Sequence, residues 1–135
     1  MNHWASKYVG IPYLLGGRDR KGLDCWGLLR LIYLEVKEIQ LPELPGICAQ
    51  ATLGIAHSIH QISTQEWHLL DKPEEACVVA MSQKEILHHV GIWTFSDGGK
   101  IIHCREGCSV VAETVRTLRL RGVRIFQYYS YGTHN

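Results

Sequence analysis

The chain has 135 residues, 46% of them hydrophobic and 20% charged, the usage of an ordinary globular protein, so we expect one domain over residues 1–135 rather than a disordered or low-complexity chain. Fourteen Lys and Arg against 13 Asp and Glu leave a net charge of +1, which predicts no nucleic-acid partner and no attraction to anionic membranes. The longest apolar run, 28–36, is interrupted by Arg30 and Glu35 and predicts no membrane span, and the first residues lack a secretory-signal pattern, so we expect synthesis in the cytoplasm.

The first predicted element is an amphipathic helix over residues 25–39. Its apolar residues recur at helical spacing, and Asp24 before it is a suitable N-cap. Pro42 and Pro45 then predict a connector over 41–46, since proline ends a helix. A weaker helical pattern follows within 46–66.

From residue 77 onward the sequence favours strands. β-Branched and aromatic residues concentrate in five segments: 77–81, 87–95, 100–104, 109–113 and 123–129. Ser96-Asp97-Gly98-Gly99 separates the second from the third and is typical of a hairpin. A helix followed by antiparallel strands predicts an α+β fold.

Cysteine and histidine suggest where the chemistry lies. The five cysteines (25, 48, 77, 104 and 108) form no dense framework, so we expect them mostly reduced. The histidines include three groups: His57 with His60, His88 with His89, and His103 beside Cys104. The chemistry of such groups is catalytic or metal-binding.

Cys25 is a candidate nucleophile because it begins the predicted helix. Unpaired N–H groups and the positive end of the helix dipole favour a thiolate there, and a nearby base or cation would complete the activation. The alternative is a small apolar residue packed under the sheet.

Three motifs carry a family resemblance. They are Gly10-Ile11-Pro12-Tyr13-Leu14-Leu15-Gly16-Gly17, then Gly22-Leu23-Asp24-Cys25-Trp26-Gly27-Leu28-Leu29, and downstream His89-Val90-Gly91-Ile92-Trp93 with Ile101-Ile102-His103. Together they resemble the NlpC/P60 family of papain-like cysteine peptidases, in particular the short versions of tailed bacteriophages. The resemblance covers about residues 4–103.

The resemblance implies roles and a fold. It implies Cys25 as nucleophile, His89 as general base, His103 as the residue orienting the imidazole, and Tyr13 reaching toward the cysteine. It implies a papain-like α+β domain in which the helix bearing Cys25 packs on an antiparallel sheet, with the backbone N–H of Cys25 as an oxyanion donor.

The implied activity is hydrolysis of an amide bond in peptidoglycan stem peptides, next to D-glutamate, without a cofactor or metal. The implied partners are bacterial peptidoglycan and other phage tail proteins, and the place of action is the cell wall, as a tail component. Serine usually follows the family nucleophile, and Trp26 stands here instead, which bears on the substrate subsites. Gly16 and Gly17 let the backbone turn close to the site.

The hairpin tests the choice of histidine. His89 and His103 lie 14 positions apart, so they share a face only if the loop has an odd number of residues, three to five. A two-residue turn at Asp97-Gly98 would instead place His103 on the face of His88. His88 is therefore the alternative base.

Other interpretations remain open. His103, Cys104 and Cys108 could bind zinc, with His89 or Cys77 as fourth ligand, whereas His57 and His60 lack an adjacent third ligand. Four arginines near the C-terminus predict a solvated strand face, or contact with an acidic polymer or a protein neighbour: Arg116, Arg119, Arg121 and Arg124. The closing tyrosines predict an edge strand or an assembly surface: Tyr128, Tyr129 and Tyr131. The functional alternatives are a non-catalytic tail assembly module, a secreted antibacterial amidase effector and a zinc-stabilised interaction module.

Overall fold

A computed structural model describes residues 4–41, 67–83, 86–104 and 107–131. The weak helix predicted within 46–66 lies outside them, together with Cys48, His57 and His60. In the part that the structure describes, no helix is long and apolar enough to cross a membrane.

The architecture is α+β, as predicted. A short hairpin joins β1 (Arg18–Asp19) and β2 (Gly22–Leu23), and α1 (Cys25–Lys37) follows directly. The remaining elements are β3 (Trp67–Leu70), β4 (Val78–Gln83), β5 (Ile86–Thr94), β6 (Lys100–Cys104), β7 (Val110–Glu113), α2 (Val115–Leu120) and β8 (Ile125–Tyr131). The strands β3 to β8 form a six-stranded antiparallel sheet of order β3-β8-β4-β5-β6-β7, and α1 packs against it.

α1 begins where the sequence predicts. The side chain of Asp24 accepts a hydrogen bond from the N–H of Gly27, which caps the first turn. The helix ends two residues before the predicted position, because Glu38 takes a left-handed conformation with φ 57° and its N–H bonds the carbonyl of Tyr33.

The sheet has two differently covered faces. One face packs against α1 in a cluster that we call the α1-side core; its strand residues include Val78, Ala80, Val90, Ile92, Ile102, Cys104 and Val110. The other face packs against α2 in the α2-side core, formed by Cys77, Val79, Met81, Trp93, Ile101, Leu118 and Val123. Successive strand residues alternate between the two cores, as the pleat requires.

All five predicted strands are present, and every end lies within two residues of its predicted position. The sequence missed the β1–β2 hairpin, β3 and α2. The expectation of a solvated strand face is wrong for Arg116 and Arg119, which lie on α2, because Thr114 caps a helix there by accepting from the N–H of Thr117 at 3.1 Å. The closing tyrosines are not an edge strand, since β8 lies between β3 and β4.

Candidate active site

Cys25 opens α1 and is partly exposed as a free thiol. Burial, and then the charge of Asp24, raise the pKa of this thiol to about 12, although the backbone N–H groups of Trp26 and Cys25 act in the opposite direction. The two N–H groups favour a thiolate, as the helix start predicts, but desolvation and the charge of Asp24 outweigh them. Activation of Cys25 therefore needs a nearby base.

Asp24 organises the turn before Cys25. Its Oδ1 accepts from the Gly27 N–H at 2.7 Å and from Arg18 Nη1 at 2.7 Å, and its Oδ2 accepts from the Gly16 N–H at 3.0 Å. The residue is 3% exposed, so these bonds form away from competing water. One carboxylate thus ties the glycine loop, β1 and the start of α1 together.

Close backbone approach explains the glycines around this turn. Gly16 has φ +75°, which L side chains rarely adopt. A Cβ at Gly17 would overlap the carbonyl of Gly22, and a Cβ at Gly27 would overlap the carbonyl of Gly17. The loop at Gly16 and Gly17 therefore turns tightly against α1, in agreement with the prediction.

Tyr13 is held beside the segment that leads into Cys25. Its backbone forms a parallel bridge to Leu23, and its N–H donates to the carbonyl of Cys108 at 3.0 Å. Tyr13 and Cys25 are both partly buried and pack against the α1-side core.

Trp26 serves packing. Its side chain is 1% exposed and belongs to the α1-side core. A side chain so buried is unavailable to line a substrate subsite, so the tryptophan acts on the site only through the position of α1.

His89 and His103 are in contact. The pairing of Thr94 with Lys100 leaves a five-residue loop, 95–99, so the number is odd as the same-face prediction requires. His103 then lies across from Gly91, two residues along from His89. The Nε2 of His89 and the Nδ1 of His103 are 3.1 Å apart, and both side chains are buried.

Gly91 makes room for this contact, a role that sequence reasoning missed. A Cβ at Gly91 would lie 3.0 Å from Cβ of His103 and 2.8 Å from Cγ2 of Ile101, tighter than ordinary van der Waals contact. The signal was available in the His89-Val90-Gly91 motif, because a glycine inside a strand marks a close approach.

Two further residues, also missed, extend the pair. The Nε2 of His103 is 2.8 Å from Oε1 of Glu113, and Arg121 Nη1 donates to the same oxygen at 2.9 Å. Only the β6–β7 pairing, in which Glu113 lies opposite Ile101, brings this carboxylate within reach. The result is a hydrogen-bonded chain of four side chains that we call the histidine relay: His89, His103, Glu113 and Arg121.

The relay and Cys25 belong to different faces of the sheet. His89 pairs with Met81, a residue of the α2-side core, and His103 lies between Ile102 and Cys104, which both face α1. Along the strand direction, however, Cys25 lies near His103. The thiol of Cys104, next to His103, contacts the carbonyl of Leu23 at 3.3 Å, close to Cys25. Cys25 and His103 thus both lie near the C-terminal end of β6.

His88 occupies an irregular position. Met81 pairs with His89 and Ser82 with Leu87, so His88 is the extra residue of a β-bulge. Its side chain lies outside the described part of the structure.

The residues proposed for zinc do not converge. Cys104 faces the α1-side core whereas its neighbour His103 faces the other way, and Cys108 is exposed. Cys77 lies in the α2-side core, where the N–H of Glu74 contacts its sulfur at 3.5 Å. Among the described residues, no group of three or more His, Cys, Asp or Glu could hold a metal ion.

Comparisons with known proteins bear on the family and the fold of this chain. The NlpC/P60 family profile matches residues 10–123. The crystal structure of the NlpC/p60 domain of the peptidoglycan hydrolase SagA superimposes with a TM-score of 0.59 at 23% identity, covering 92% of this chain and 91% of that one, which shows a common fold.

Two curated relatives are much longer than this chain. Gamma-DL-glutamyl hydrolase of Bacillus subtilis (strain 168) is 24% identical over 127 residues, covering 90% of this chain and 28% of that protein. Protein P54 of Enterococcus faecium is 53% identical over 32 residues, 24% of this chain and 6% of that protein. This chain therefore spans under a third of either relative.

Proposed function

The chain belongs to the NlpC/P60 family, and on that premise we propose that it is a cysteine hydrolase that cleaves an amide bond in the stem peptide of bacterial peptidoglycan. The similar Bacillus protein is named for hydrolysis at γ-linked glutamate, which favours a bond next to D-glutamate. The observation that carries the proposal is the buried His89–His103 contact near the C-terminal end of β6, where Cys104 contacts the segment that leads into Cys25. Tyr13, beside the same turn, completes the proposed site.

The proposed reaction starts from a protonated nucleophile. Because the pKa of Cys25 is raised to about 12, His89 must take the thiol proton as sulfur attacks the carbonyl carbon. The backbone N–H of Cys25 donates to the oxyanion, and His89 then protonates the leaving amine as the C–N bond breaks. Water, deprotonated by His89, hydrolyses the thioester and regenerates the thiol.

This mechanism makes one structural demand. Cys25 and His89 approach from different faces of the sheet, so their side chains must meet around the C-terminal end of β6 for the proton to pass. A crystal structure with a peptide aldehyde bound to Cys25 tests this directly. The mechanism requires a ring nitrogen of His89 within about 3.5 Å of the sulfur; His88 in that position would transfer the role of base to the neighbouring residue.

Peptidoglycan digestion tests the activity. The purified protein is incubated with walls of several chemotypes, and released fragments are identified by mass spectrometry. We expect muropeptide products from the parent and from Cys108→Ala, which removes an exposed thiol, but none from Cys25→Ala. The absence of products from every protein would favour a non-catalytic tail assembly module instead.

A second pair of variants identifies the base. We expect His89→Ala to lower kcat by at least about 100-fold, the usual contribution of a general base, while His88→Ala retains most activity. The reverse result would assign the base to His88.

We further propose that the enzyme works as a component of a bacteriophage tail, opening the wall during infection. The support is the motif pattern around Cys25, in which Trp26 follows the nucleophile as in short phage members. Mass spectrometry of purified tailed particles should detect the chain. Detection only in the medium of uninfected producing cells would favour the secreted antibacterial effector.

A further inference from the structure

The histidine relay ends on a group whose hydrogen-bonding character is fixed. Oε1 of Glu113 lies 2.8 Å from the Nε2 of His103 and accepts a hydrogen bond from Nη1 of Arg121 at 2.9 Å. An ionised carboxylate only accepts hydrogen bonds, whereas a neutral imidazole has one nitrogen of each kind. The Nε2 of His103 must therefore carry a proton to make this bond.

Burial and charge favour a neutral His103. The His103 side chain is 1% exposed and that of Glu113 10%, while Arg121 is 43% exposed and bonded to the same carboxylate oxygen. Arg121 already balances the negative charge of Glu113. A proton added to His103 would place a second cation beside this carboxylate in a site closed to water, which is costly.

The proton positions then follow along the relay. With Nε2 protonated, the Nδ1 of a neutral His103 is an acceptor, so the 3.1 Å contact requires a proton on Nε2 of His89. In a neutral His89 the lone pair then resides on Nδ1. Each step depends on the one before it and ultimately on Glu113.

We propose that Glu113 is a positioning residue that sets the tautomers of both histidines, holding His103 and His89 in the Nε2–H form and making Nδ1 of His89 the basic nitrogen. Arg121 supports this role by holding the carboxylate in place. The assignment of protons rests on these contacts and on a neutral His103, whereas its catalytic consequence rests on the function proposed above.

Nuclear magnetic resonance measures the tautomers without any turnover. In the full chain labelled with ¹⁵N-histidine, long-range ¹H–¹⁵N correlations distinguish the two neutral forms and the imidazolium. We expect the Nε2–H form at both positions at pH 7.5 in the parent. Glu113→Gln should keep it, because both donors use one oxygen that the amide can supply, whereas Glu113→Ala should give a mixture at His103.

Activity provides the second readout. We expect Glu113→Ala to lower kcat by about tenfold, the lower end of what is lost when a group that orients a functional histidine is removed, and Glu113→Gln to restore it to within about threefold of the parent. The matched control is Glu35→Gln, a carboxylate bonded to Arg20 and to the hydroxyl of Tyr8, away from the relay. It should change neither the tautomers nor kcat.

The outcomes separate the two proposals. A doubly protonated or Nδ1–H His103 in the parent, or an unchanged spectrum in folded Glu113→Ala, would refute the role of Glu113 whatever the activity. The expected spectra in a protein that digests no wall would leave the tautomer assignment standing and contradict the proposed hydrolase. If Glu113→Ala does not fold, Glu113→Lys and Arg121→Ala replace it. Glu113→Lys should abolish the Nε2–H form at His103, and a retained form would refute the role of Glu113. Arg121→Ala should increase the imidazolium fraction of His103, and an unchanged fraction would refute the charge balance.

Discussion

Removing the Asp24 carboxylate should destabilise the turn before Cys25 and with it the fold. In Asp24→Ala, the N–H groups of Gly27 and Gly16 lose their acceptor, and Nη1 of Arg18 loses one of two acceptors and keeps the Gly17 carbonyl. Loss of an N-cap costs about 1 kcal/mol, and the two other donors add about 1 kcal/mol each. We expect the free energy of unfolding to fall by about 3 kcal/mol.

Urea unfolding followed by far-ultraviolet circular dichroism measures this loss. With an m-value of about 1.5 kcal/mol/M, the midpoint should fall by about 2 M at unchanged slope. Asp19→Ala is the matched control, because Asp19 is exposed and accepts only the Lys21 N–H of its own turn among the contacts the structure gives. A loss below about 1 kcal/mol in Asp24→Ala, or equal losses in both variants, would refute the view that Asp24 holds this turn together.

Asp24→Asn separates charge from hydrogen bonding. Asparagine caps helices about as well as aspartate, so most of the stability should remain. Because the charge of Asp24 raises the pKa of Cys25, its removal should lower that pKa. Alkylation of Cys25 by iodoacetamide at pH 8, followed by peptide mass spectrometry, should accelerate by about threefold to tenfold; an unchanged rate would contradict this electrostatic account.

Two further substitutions test the packing of the site, and a pH series tests the burial of two core thiols. Gly27→Ala should lower the free energy of unfolding by at least about 2 kcal/mol, although alanine is the better helix former, because its Cβ overlaps the Gly17 carbonyl; a stabilised variant would refute this close approach. Gly91→Ala should reduce kcat by about tenfold or more, with a smaller effect on the urea midpoint, because its Cβ presses on His103; equal activity to the parent would contradict it. Burial raises the pKa values of Cys77 and Cys104 to about 11. The same thiols in the unfolded chain therefore lose their protons first as pH rises above about 8.5, so the urea midpoint should fall between pH 9 and 11. A constant midpoint would contradict these shifts.

Local signals in the sequence determined much of the fold. Asp24 before an apolar pattern of helical period placed the start of α1, because capping and amphipathicity act within a few residues. Serine, aspartate and glycine at 96–99 located the hairpin, and counting reduced the choice of histidine to whether the loop is odd or even, which the pairing of Thr94 with Lys100 decided. The α+β class followed from the order of these segments.

Tertiary structure alone decided the rest of the site. Glu113 reaches His103 through the pairing of β7 with β6, and Arg121 reaches Glu113 through the turn after α2; neither contact leaves a periodic trace in the chain. Which core covers each face of the sheet depends on the packing of two helices distant in sequence. The raised pKa of Cys25 likewise reflects burial by the whole fold, which opposes what its place at a helix start favours when considered alone.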